Sequence, residues 1–126
     1  ADTHWMKRFA TALPEVASLD AVRELPLPEL VRGITFPDFA RLRSEREAMD
    51  SVFIDFTAEA DEALYDRPLR YANTAGERHV KPSGLVLRHV FNHQTHHRGQ
   101  ATTLFSQLGI DVGVTDLSVL IPDMPA

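Results

Sequence analysis

Four of the six histidines fall within nine residues, in the run His89-Val90-Phe91-Asn92-His93-Gln94-Thr95-His96-His97. That run lies in a longer segment, Ser83 to Leu108, whose apolar residues follow a helical rhythm. Val86, Val90, Leu104 and Leu108 fall on one stripe spaced by threes and fours. Between Val90 and Leu104, the positions that continue the stripe are His93, His97 and Gln100 or Ala101. His93 and His97 are therefore expected one turn apart on the buried face. Two imidazoles stacked in this way can share one metal ion, as in helix-borne zinc sites. The other reading of the same spacing is a pair of buried histidines held by hydrogen bonds. His89 reads as a rim residue and His96 as belonging to a neighbouring face.

The ends of this helix are marked. Pro82-Ser83 is expected to cap its start. Gly109 is expected to stop it, with Ile110 folding back on the last turn.

Upstream, Ala1 to Leu13 reads as a helix with Trp5 or Met6, Phe9 and Leu13 on one side, opening without a cap and ending at Pro14. His4 stands beside Trp5 as a rim residue or a ligand. Residues 14–34 read as a long crossover with one or two helical turns, and Leu25-Pro26-Leu27-Pro28 as extended. Thr35-Phe36-Pro37-Asp38 has the form of a helix start, with Thr35 as cap and Asp38 at the capping-box position. The helix is expected to reach about Leu64. Phe39, Leu42, Met49, Phe53, Phe56, Ala60 and Ala63 form its apolar stripe, and Arg41, Arg43, Glu45, Glu47, Asp50 and Asp55 its solvated sides.

The period then changes. Leu69 to Ala72 and Glu77 to Lys81, around Asn73-Thr74-Ala75-Gly76, predict a small hairpin. Two short strands cannot make a sheet core, so the hairpin is an ornament on a helical protein. Alternation turns His79 away from whatever Val80 packs on. The tail has a Thr115-Asp116 cap signal and a short apolar run, Leu117 to Ile121.

With 126 residues the chain reads as a single domain, residues 1–126. A net charge of −5 argues against nucleic acid as the main partner. Without cysteine, any metal must take histidine, carboxylate or water. No run is long and apolar enough for a membrane span and no signal peptide is visible, so a cytoplasmic location is the default.

His93-Gln94-Thr95-His96-His97-Arg98-Gly99-Gln100, followed by Leu108-Gly109-Ile110-Asp111, resembles the DinB family, of the DinB/YfiT-like metal-dependent superfamily. The opening Ala1-Asp2-Thr3-His4-Trp5-Met6-Lys7-Arg8-Phe9, the hairpin and the tail Thr115-Asp116-Leu117 also fit. The resemblance implies an all-α four-helix bundle with a small β-hairpin and a divalent metal held by three histidines. His93 and His97 match two of them. The third belongs in the family's second helix, upstream of Ala1, so this chain is expected to lack the family's first helix and its third ligand. His4, about two turns further along that helix, is a poor substitute. An apolar groove is then expected where the first helix should pack, covered by upstream residues or by a second copy; the resembled family commonly forms homodimers.

Gln94 occupies the place of the glutamate in H-E-x-x-H and cannot take a proton, which argues against a peptidase of that type. Members of the resembled superfamily include metal-dependent transferases and isomerases that use small cellular thiols. The leading expectation is an enzyme of that kind, acting on a small electrophile with a low-molecular-weight thiol, with nickel, zinc, iron or manganese as the metal. The alternatives are a stress-associated metal-binding protein without turnover and a helical interaction domain whose histidines are only structural.

Overall fold

A computed structural model of the chain describes residues 1–27 and 33–125. Among them are five α-helices and one two-stranded antiparallel sheet. In chain order they are α1 (Asp2–Ala12), α2 (Asp20–Arg23), α3 (Phe39–Glu59), α4 (Glu62–Asp66), β1 (Pro68–Ala72), β2 (Arg78–Pro82) and α5 (Ser83–Gln107), with 3₁₀ turns at Ala17–Leu19 and Leu117–Leu120. The chain divides into two compact units, Ala1–Val90 and Phe91–Ala126.

The first unit holds the core. Met6, Phe9, Ala10 and Leu13 come from α1 and the residue after it, and Val16, Leu19 and Val22 from the turns that follow. Met49, Phe53 and Phe56 of α3, Leu64, Leu69, and Val86, Leu87 and Val90 of α5 complete it. Phe9 and Phe56 are fully buried with ring centroids 5.4 Å apart. The sequence left Trp5 and Met6 as alternatives for the inner face of α1; Met6 is the buried one and Trp5 is half-buried.

The crossover contains the helical turns expected of it, at Ala17–Leu19 and Asp20–Arg23. Arg23 turns back from α2 and donates to the carbonyls of Ala10, Leu13 and Val16 at 3.4, 2.9 and 3.0 Å. A cation thereby satisfies carbonyls at the end of α1, where the helix leaves acceptors without partners. Leu25 is still in a turn, its N–H bonded to the Val22 carbonyl at 3.2 Å, so the run is not extended from that residue. Pro28 lies outside the described residues.

The long helix differs from its expected limits at both ends. Asp38, not Thr35, caps it, accepting from the Arg41 N–H at 2.8 Å. It stops at Glu59 because Ala60 is extended, and Asp61 then caps the separate α4 by accepting from the Leu64 N–H at 2.7 Å. Of the expected stripe, Met49, Phe53 and Phe56 are buried, whereas Phe39 and Leu42 are exposed.

The hairpin pairs Leu69 with Lys81 and Tyr71 with His79. The expected facing is reversed: Val80 is exposed, and His79 is half-buried with its ring centroid 5.3 Å from that of Tyr71. With only two strands, neither hairpin face is covered by a second sheet, so alternation alone does not say which side packs.

Ser83 also has a different role from that expected. Its hydroxyl does not cap α5 but donates to the carbonyls of Leu64 and Tyr65, and its N–H donates to the Arg67 carbonyl at 2.9 Å. The next residue, Gly84, lies so close to α4 that a Cβ there would stand 2.9 Å from Tyr65 Cβ and 3.2 Å from its carbonyl oxygen. Gly84→Ala is expected to destabilise the fold by about 1–3 kcal/mol, because both obstructing groups are rigid. Urea denaturation would measure it, with Gly99→Ala, whose Cβ would meet nothing within 4 Å, as the contrasting substitution.

In the second unit α5 ends as expected. Gly109 has φ +71°, its N–H bonds to the Ser106 carbonyl, and the Ile110 N–H bonds to that of Phe105, both at 3.0 Å. This pair of bonds is the Schellman stop.

Candidate metal centre

The pitch of the helix brings His93 and His97 together. Four residues advance a helix by slightly more than one turn, so the two side chains stand one above the other. Their ring centroids are 4.4 Å apart with planes at 76°. Gln100, one turn further on, places its Oε1 2.8 Å from His97 Nδ1. An amide oxygen only accepts, so with this pairing Nδ1 is the donor, and in a neutral ring that arrangement leaves the Nε2 lone pair for a metal.

His97 has a further local neighbour. His96 has its ring centroid 5.2 Å from that of His97, and Arg98 donates to Thr95 Oγ1 at 2.9 Å. The expectation that the pair lies on a buried face is not met. Burial on α5 ends at Val90: His93 is half-buried, His97 is exposed, and Leu104 and Leu108 are exposed at 62% and 75%. The helical period identifies a stripe but not whether anything covers its whole length.

As donors the two imidazoles suit a borderline divalent ion. They are two of the three protein ligands a catalytic site takes, and among the described residues no group of three His, Asp or Glu side chains is placed to hold a metal. The residues present therefore fit part of a site.

The other histidines lie in the first unit. His89 sets its ring against Trp5, with centroids 5.4 Å apart at 72°. Trp5 in turn meets Tyr71 edge-on at 5.3 Å. This cluster escaped the sequence reading because Trp5, Tyr71 and His89 belong to three elements far apart in the chain, and no local pattern links them. His79 lies 3.3 Å from Asn73 Nδ2 through its Nε2.

His4 is half-buried on α1, and its Nδ1 is buried without a hydrogen-bond partner. Burial, aided by the Arg8 guanidinium, holds its pKa below the ordinary 6.5. The folded state thus takes this proton less readily than the unfolded chain. The stability involved is complete above pH 6.5 and declines as the pH falls through that value toward the lower folded pKa. His4→Gln should flatten this dependence, measured as the urea midpoint at about pH 8 and about pH 5 on either side of the ordinary histidine range.

With the histidine helix, its Gly109 stop and the preceding hairpin described, the chain can be compared with known proteins. A model of the DinB family matches residues 33–123, well over half of the sequence. The chain belongs to the DinB family. No curated protein and no solved structure matches it. Among the described residues no helix is long and apolar enough to cross a membrane.

Proposed function

We propose that His93 and His97 hold a divalent metal ion in a DinB-type helical bundle, and that the protein is a metal-dependent enzyme, a transferase that uses a low-molecular-weight thiol on a small electrophile. The observation that supports this most is the pair itself: two imidazoles with ring centroids 4.4 Å apart, one of them within hydrogen-bonding distance of Gln100 through Nδ1. Membership of the family supports the bundle. A catalytic site of this kind takes three protein ligands, of which His93 and His97 supply two. When bound, the metal would lower the pKa of a coordinated water to about 7, and that of a thiol in the same sense.

The residues of this chain then have distinct tasks. His93 and His97 supply lone pairs. Gln100 fixes the His97 ring through Nδ1. Gln94 carries no titratable proton, so the helix itself offers no carboxylate base.

His93→Ala or His97→Ala should each remove most of the bound metal, and His96→Ala little, by elemental analysis of untagged protein purified without added metal. Gln100→Leu should retain the site but weaken it by about tenfold, the usual cost of losing a partner that orients a ligand. Retention of metal in both alanine variants at His93 and His97 would overturn the assignment. For the reaction, transfer of a small thiol to an electrophile is compared between apo and metal-loaded protein across pH. Equal rates without metal would remove the mechanism.

A further inference from the structure

The first unit contains a cavity of about 400 Å³ lined by Trp5, Tyr71, Lys81, Pro82, Leu85, Val86 and His89. This is within the usual range for small-molecule pockets. Its walls are apolar and flat: the Trp5 ring meets Tyr71 at 5.3 Å and His89 at 5.4 Å, each edge-on, so the faces turn in different directions around the space. A further planar group would meet these rings in the offset or edge-to-face arrangements that aromatic groups prefer.

The charges around the cavity have one sign. Among the described residues, Lys81 is the only charged one in its lining. Arg8 stands behind the same wall, its guanidinium carbon 4.4 Å from the Trp5 ring centroid and 5.0 Å from that of Tyr71. Neither cation has an ion pair among the described residues, although acidic residues outnumber basic ones in the chain, 18 to 13. Burial lowers the Arg8 pKa, with the neighbouring Tyr71 phenol acting in the opposite sense. Two cations beside an aromatic, acid-free cavity create a local positive potential on a negatively charged protein.

We infer that this cavity binds a small planar carboxylate, an aromatic or conjugated acid whose ring lies among Trp5, Tyr71 and His89 and whose carboxylate is paired by Lys81. Leu85 and Val86 supply the apolar contact that favours a ring over a simple inorganic anion. The site uses only residues of the first unit and does not depend on the metal reading, so it is tested on chelator-treated protein.

Trp5 is the only tryptophan, so its fluorescence reports directly on the cavity wall. The probes are benzoate and benzamide, which share shape and differ in charge, with sodium chloride as the ionic-strength control. Benzoate should give a saturable change and bind roughly fivefold more tightly than benzamide, the scale of a partly exposed charge pair. Lys81→Gln should bring benzoate to the benzamide level and leave benzamide unchanged. Leu85→Glu, which places an anion in the wall, should abolish benzoate binding. Lys81 and Leu85 are both exposed, so circular dichroism should show each variant folded. A lack of any saturable response to benzoate overturns the inference. So does equal binding of the two probes, or benzoate binding that survives both substitutions.

Discussion

Ser83 is the one polar residue buried among the described residues, and its hydroxyl and amide reach carbonyls of the segment just before the hairpin, at Leu64, Tyr65 and Arg67. A buried hydroxyl left unpaired would be costly, so these bonds tightly restrict where the first turn of α5 can sit. Gly84 adds a steric condition on the same turn, since only a residue without Cβ approaches Tyr65 so closely. Together they set the rotation of the helix. Val86, Leu87 and Val90 then enter the core, and His89, His93 and His97 follow at intervals of four along one side of the helix.

What could be read in the sequence was mostly what depends on near neighbours. The limits of α1, the hairpin and the Gly109 stop rest on contacts a few residues apart. So does the proximity of His93 and His97, which needs only the pitch of a helix. The errors arose where two local signals competed or where a distant partner decided. Thr35 and Asp38 can both cap a helix; the hydrogen bond goes to Asp38. Leu64 continues the spacing of Phe53 and Phe56, so the break at Ala60 is invisible to periodicity. The exposure of Leu104 and Leu108 follows the same principle, because a period carries no information about what lies opposite it.

The candidate sites divide along the same line. His97 and Gln100 are three residues apart, and their contact follows from helical spacing. Trp5, Tyr71 and His89 meet only because α1, β1 and α5 are assembled in one unit, and Arg8 joins them through the faces of two rings. A third metal ligand would be a non-local feature of that second kind. In the first unit, side chains from distant parts of the sequence converge. In the second, the chemistry is written along a single helix.

Glu59, at the end of α3, accepts from the N–H groups of Ala17 and Ser18 at 3.0 and 2.8 Å, 42 and 41 positions away in sequence. A three-residue 3₁₀ turn has little stability of its own. The partner for its first amides arrives only after a long loop has closed, and the entropy of that closure must be met first. This orders events in time. The turn at Ala17–Leu19 is therefore expected to become firm as α3 docks and to loosen when α3 moves away.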